Sequence, residues 1–343
     1  MTLLLIEGFD HFTSDAHLVD KGWDLGSEGA GWIDVNSSNG RFGGNGLSIQ
    51  YSASGNYARK NFGVNKSTIY FGMAFKLMEA TPTGYNASDN GMLTFLDESS
   101  VVQVEFFVNS AYGISAYQGD TTLLGSTSDQ VVPLQKWCYL EGKITISATI
   151  GVVELKVNGV QVLNLTSQDT KNGSDYIRYI QLASIYNDKH TLFDDIYIDD
   201  AAYHGDCRVK IFLPDSISTT NNSFTASAGN KDECVDDNPP TDDTDYIYSS
   251  TLNHKQGFGI TTGSLGTVEG IQLNNFTRID QAGTRKITPL IRSNGTDYLG
   301  TETEEITAEY KFESEIWETD PDDSSAWTQT KLEAAEFGLE ITT

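Results

Sequence analysis

Two short runs in this chain, Val152–Val157 (VVELKV) and Val160–Leu165 (VQVLNL), are separated only by Asn158-Gly159. Asn-Gly between two alternating runs is the strongest short hairpin signal a sequence carries, because the two-residue turn that matches strand twist needs positive φ at both positions. A lone hairpin is marginal in water, so it demands further strands to bury its apolar face. The neighbouring sequence supplies them. Leu3–Ile6, Leu47–Tyr51, Thr68–Leu77 (TIYFGMAFKL), Met92–Leu96, Val101–Val108 (VVQVEFFV), Trp137–Ile146 (WCYLEGKITI), Tyr176–Ile185 and Phe193–Ile198 all read as strands between Gly, Asn, Asp and Ser clusters. Their regular spacing, with no long 3.6-period segment among them, predicts a two-sheet sandwich.

Beyond this region the composition shifts. Asp206–Pro214 (DCRVKIFLP) predicts one more strand. A polar stretch follows, and then Asp232–Asp245, where seven of fourteen residues are acidic, reads as a connecting segment. The last hundred residues return to strand patterns at Gly270–Arg278, Arg285–Arg292, Thr307–Glu313 and Gly338–Ile341, with a turn at Asn294-Gly295 and one helix over Trp327–Glu336. The expected organisation is a β-sandwich over 1–205, an acidic connector over 206–245 and a smaller β-rich domain over 246–343. Neither repeats nor heptads are visible, so the chain is not expected to form a fibre shaft.

Charge narrows the partners. With 22 basic and 48 acidic residues the net charge is −26, a surface that repels nucleic acid and anionic membranes. The apolar run Leu3–Ile6 is too short for a secretory h-region and has no basic residues before it, and no stretch approaches a membrane span. The expectation is a soluble protein made without export and released by lysis. The three cysteines Cys138, Cys207 and Cys234 show no metal-ligand spacing and read as thiols, with a Cys207–Cys234 bridge left open.

The segment from Trp137 to Leu165, with its Trp-led strand and NG hairpin, resembles the concanavalin A-like (laminin-G-like) jelly roll. So do Phe193-Asp194-Asp195-Ile196-Tyr197-Ile198 as a final strand, the opening Glu7-Gly8-Phe9-Asp10, and Gly40–Leu47 ahead of a strand. The resemblance covers roughly residues 1–205. A narrower one covers nearly the whole chain. The opening LLIEGFDHF, RFGGNGL, Gly205–Val209 with Leu213-Pro214, the run Val235–Tyr246, Ser293–Thr296, Trp317–Pro321, Trp327-Thr328 and Glu336–Gly338 resemble a group of tailed-phage virion proteins. That resemblance implies an all-β structural component on the particle surface, associated with the tail or adsorption apparatus, with capsid decoration as the alternative. It implies other virion proteins, copies of itself and host surface glycan as partners.

Glycan hydrolases of the jelly-roll family carry Glu-x-Asp-x-x-Glu on one strand, which sets two carboxyls on one sheet face at about 5–5.5 Å for a retaining mechanism. That motif is absent, and Glu105 and Glu154 each stand alone in their strands. No Gly-x-Ser-x-Gly occurs, and His11, His17, His190, His204 and His254 are scattered. The expectation is therefore a protein that is not an enzyme and needs no cofactor. Calcium is the open alternative, at Asp194 and Asp195 or at Asp236 and Asp237. Strand alternation argues against the first pair, since it sends adjacent side chains to opposite faces. For glycan stacking the candidates are Trp23, Trp32, Tyr85 and Tyr112, with Tyr57 and Tyr117 also in loop-like contexts.

Overall fold

The structure is a computed structural model that describes residues 2–26, 32–36, 38–51, 55–78, 90–119, 121–185, 190–281 and 283–343. It divides into two units, Met1–Val209 and Lys210–Thr343. Residues 210–245, read from composition as part of a connector, thus belong to the second unit.

The front unit is built from β1 (Leu3–Glu7), helix α1 (Asp15–Asp20), β2 (Trp23–Gly26), β3 (Ile33–Asn36), β4 (Gly46–Ile49), β5 (Tyr57–Lys66), β6 (Thr68–Leu77), β7 (Leu93–Leu96), β8 (Val102–Val108), β9 (Ile114–Gln118), β10 (Thr122–Ser126), β11 (Cys138–Thr145), β12 (Gly151–Val157), β13 (Val160–Gln168), β14 (Ile177–Ala183) and β15 (Thr191–Asp199). They form two antiparallel sheets. The first runs β13-β12-β11-β6-β15-β4-β3, with β1 also paired to β15; the second runs β10-β9-β8-β7-β14-β5-β2. The Asn158-Gly159 hairpin is β12–β13, and its turn has Asn158 at φ +50° and Gly159 at +78°, as a type I′ turn requires.

The core lies between the sheets. Phe71 of the first sheet meets Phe95 and Phe106 of the second at 5.0 and 6.0 Å between ring centroids. Alternation then fixes every other side chain. With Phe95, Val104 and Phe106 facing inward, Thr94, Gln103 and Glu105 face away from the core. One end of the core is charged. Glu7 on β1 pairs with Lys21 at 3.2 Å and accepts from the Trp23 indole (3.3 Å) and the Phe9 amide (3.3 Å). The Lys60 ammonium enters the same end and donates to the Lys21 carbonyl. Burying Trp23 gives its N–H a buried acceptor, so the residue serves the core, at 2% exposure.

The expected strand over Asp206–Pro214 does not form. Residues 200–209 instead cross the outer face of the first sheet as a strap. The Tyr203 hydroxyl donates to Glu154 (3.1 Å), the Gly205 amide to Glu141 (2.9 Å) and the Val209 amide to Asp195 (2.8 Å). Backbone donors that a strand would give to a neighbouring ladder are taken here by carboxylates, which form the stronger hydrogen bonds.

The second unit holds β16 (Ser216–Asn222), β17 (Thr225–Ala226), β18 (Ile247–Tyr248), β19 (Lys255–Gly259), β20 (Ile271–Thr277), β21 (Ile287–Ser293), β22 (Thr296–Leu299), β23 (Lys311–Trp317), α2 (Gln329–Ala334) and β24 (Glu336–Ile341). Its main sheet is β16-β19-β24-β21-β22, joined by the small pairs β17–β18 and β20–β23. Asn294 (φ +48°) and Gly295 (+80°) make the β21–β22 turn. Two small apolar clusters support the sheet, one around Phe224, Ile287, Leu339 and Ile341, the other around Ile291, Trp327, Leu332 and Ala335. The helix is shorter than the sequence predicts, starting after Thr328, whose hydroxyl accepts the Lys331 amide.

Candidate functional site

One line of directly opposed residues crosses all seven strands of the second sheet. Asp24 opposes Arg59, Arg59 opposes Gln181, Gln181 opposes Thr94, Thr94 opposes Glu105, Glu105 opposes Tyr117 and Tyr117 opposes Leu123. Because directly opposed residues in a sheet share a face, all seven side chains stand on the outer face. At strand spacings of about 4.8 Å the row is roughly 30 Å long.

At one end Arg59 lies between two aromatic rings, with its guanidinium 5.4 Å from the Tyr57 centroid and 5.3 Å from that of Tyr179. Asp24 pairs with the guanidinium and Ser100 Oγ accepts from it at 3.0 Å. Gly26 is required beside this platform, since a Cβ there would lie 2.0 Å from the Tyr57 ring. The centre of the row is polar and of low exposure: Thr94 at 1%, Glu105 at 4% and Gln181 at 5%. The Gln181 amide reaches Asn90 at 3.4 Å, and the Glu105 carboxyl lies against Gly91, where an added Cβ would be 3.1 Å from Oε2. Thr94 Oγ1 is buried with no hydrogen-bond partner among the described residues. A polar oxygen kept dry and unpaired costs about 1–3 kcal/mol. At the far end Tyr117 packs edge-on against Phe107 (5.6 Å) beside exposed Leu123. Burial, with the Glu105 carboxylate next to it, pushes the Tyr117 phenol above its ordinary value, so at neutral pH it is a protonated hydroxyl that can donate or accept.

The residues singled out from sequence fall in other places. Trp23 is in the core and cannot stack on a sugar. Trp32 and Tyr112 are half-buried away from this row: Trp32 precedes β3, and Tyr112 sits at φ +61° in the β8–β9 turn. Tyr85 lies outside the described residues. Tyr57 and Tyr117, read as loop residues, are strand residues at opposite ends of the row.

Asp194 and Asp195 do not point to opposite faces as alternation predicts. β15 bulges between Asp194 and Tyr197, with Asp195 at φ +50°, and the bulge turns both carboxyls toward Arg41. Asp194 accepts the Arg41 amide (2.7 Å) and Asp195 faces the Arg41 guanidinium (3.4 Å). Burial raises both carboxyls, and for Asp194 the neighbouring Asp195 charge adds to it. In the second unit Asp237 accepts from Thr241 (2.8 Å), while Asp236 is exposed. Among the described residues no group of three or more His, Cys, Asp or Glu is arranged to hold a metal ion. The thiols of Cys207 and Cys234 donate to different carbonyls, those of His204 (3.3 Å) and Ala228 (2.8 Å).

No family model matches the sequence, and no curated relative does. Solved structures of similar fold include an endo-β-1,4-glucuronan lyase from Trichoderma reesei. It is 13% identical, with a TM-score of 0.40, over 55% of this chain and 95% of the lyase. A carbohydrate esterase from Shiga toxin-encoding bacteriophage phi24B is 15% identical, with a TM-score of 0.40, over 59% of this chain and 99% of the esterase. A carbohydrate-binding module from Bacillus subtilis is 10% identical, with a TM-score of 0.34, over 52% and 96%. The front unit is a jelly-roll sandwich.

At these identities the likeness is one of fold. It still corrects one expectation, that the chain is not an enzyme, because the structures it resembles are mostly carbohydrate-active enzymes. The Glu-x-Asp-x-x-Glu motif lies along a single strand. The polar row of this jelly roll runs across them, and Glu105, alone in β8, stands in it between Thr94 and Tyr117.

Proposed function

We propose that the jelly roll recognises carbohydrate along the outer face of its second sheet. The observation that carries this reading is the Tyr57–Arg59–Tyr179 platform, two ring faces flanking a guanidinium that Asp24 and Ser100 hold in place. Aromatic faces suit the apolar face of a pyranose ring, and the exposed Asn61 amide beside them and the Tyr117 phenol farther along the row offer the donors and acceptors that sugar hydroxyls need. Glu105 places a carboxyl at the centre of the row, so turnover is assayed alongside binding.

Isothermal titration of the wild type and Tyr57→Ala with a polysaccharide tests this reading, and equal affinity in the two would remove the platform from the site. Thr94, at the buried centre of the row, is a separate probe. Its Oγ1 has no partner among the described residues, so Thr94→Val is expected to leave stability unchanged or raise it by about 1 kcal/mol, which thermal melts measure.

We further propose that the chain sits on the surface of a tailed-phage particle, at the tail or adsorption apparatus, assembled in the host cytoplasm with other virion proteins and copies of itself. The motifs shared with tailed-phage virion proteins over nearly the whole sequence support this placement. Immunogold labelling of purified particles tests it. Label on the tail is the expected result, label over the head would make it a capsid decoration protein, and unlabelled particles would overturn the placement.

A further inference from the structure

We infer that the row selects an uncharged polysaccharide, bearing hydroxyl or acetamido groups, and rejects uronate or sulfated chains. The inference rests on the reading of the row as a carbohydrate site and adds the class of ligand. A polyanionic chain laid across the strands brings repeated negative charges, and holding them takes cations whose charge is not already spent.

Beside the platform, both described guanidiniums are already paired. Arg59 is paired with Asp24 and hydrogen-bonded to Ser100. Arg178, at the start of β14, is paired with Glu98 at 3.5 Å and donates to Asn61 and Asn65, each at 3.3 Å. Glu105 adds a carboxyl at the centre of the row. Two guanidiniums against Asp24 and Glu98 leave no net positive charge at that end. The whole chain at −26 opposes the approach of a polyanion over a screening length of about 10 Å at 0.1 M salt.

What the face does offer is neutral: the exposed Asn61 amide, the protonated phenol of Tyr117 and the rings of Tyr57 and Tyr179. Selection by exclusion of charge is as effective as added contacts, since a like-charge juxtaposition is costly to the wrong partner and free to the right one.

The test is titration of the full chain with length-matched neutral and uronate oligosaccharides at 50 and 500 mM NaCl. Binding is expected for neutral oligosaccharides only, with Kd changing less than twofold between the two salt concentrations. A tightest ligand that is a uronate, with affinity falling tenfold or more in high salt, would overturn the inference while leaving the carbohydrate reading intact. No binding of either class, with the protein shown folded by its thermal melt, would overturn the carbohydrate reading itself and this inference with it. Asp24→Asn supplies a second arm. Releasing Arg59 from its carboxylate is expected to bring uronate binding from undetectable to measurable, and an Asp24→Asn protein that still ignores uronates would contradict the ion-pair account.

Discussion

Replacing Glu7 by glutamine is expected to destabilise the front unit by ~3–5 kcal/mol, the usual cost of removing one partner from a buried ion pair. Glu7 is fully enclosed, and three donors converge on it: the Lys21 ammonium, the Trp23 indole N–H and the Phe9 amide. Glutamine keeps the shape but leaves the Lys21 charge in the core without its counter-charge. Urea unfolding at pH 7 measures the loss.

The same cluster dictates how stability depends on pH. Burial alone would raise the Glu7 carboxyl. The Lys21 ammonium, helped by His11, Lys60 and the Phe9 amide, outweighs burial and holds it below its ordinary 4.5. A lowered carboxyl contributes stability above about pH 4.5 that is lost as the pH falls further, because the unfolded chain takes up the proton first. Lys60 acts in the opposite sense. Burial brings its ammonium down from 10.5 to about 8, so between those values the unfolded chain holds a proton that the folded one has released, and stability rises with pH. Lys60→Met is expected to stabilise the front unit by ~2 kcal/mol at pH 7, the desolvation cost less one hydrogen bond, and to abolish that alkaline rise. A rise that persists in the variant would place the titrating group elsewhere.

The second large effect concerns recognition. Tyr179→Ala is expected to weaken carbohydrate binding roughly 30-fold, about 2 kcal/mol, the range of a buried aromatic anchor at an interface. The ring is half-buried on the outer face and one wall of the Arg59 platform, so its removal takes both a stacking surface and the support that aims the guanidinium. Tyr57→Ala removes the opposite wall and should lose a similar amount. The double variant is expected to fall short of the sum, because the two rings share one guanidinium.

Much of the fold was legible because the signals were local. Thr68–Leu77 alternates so regularly that its predicted limits are those of β6, and both Asn-Gly turns have the backbone their residues demand. β5 was missed: YARKNFGVNK carries Arg59, Lys60 and Asn61 in succession, since its outward Arg59 serves the site and its inward Lys60 serves the charged end of the core. Asp206–Pro214 has a strand's pattern, but its Val209 amide goes to Asp195 and its Asp206 carboxylate and Cys207 carbonyl accept from Arg41, side-chain partners that the sequence does not reveal. The row was not visible at all. Its members lie on strands from residue 24 to residue 181, related by register and by no spacing along the chain. Trp23 looked like a surface aromatic because nothing in sequence ties its indole to Glu7, sixteen residues earlier.

The most direct test of the central claim is a side-by-side titration of the wild-type chain and Tyr179→Ala with a neutral polysaccharide, with a thermal melt of each. The account predicts that the wild type binds and that the variant binds at least tenfold more weakly at an unchanged melting temperature. Equal affinity in the two proteins would contradict it, because the platform would then have no part in holding the ligand.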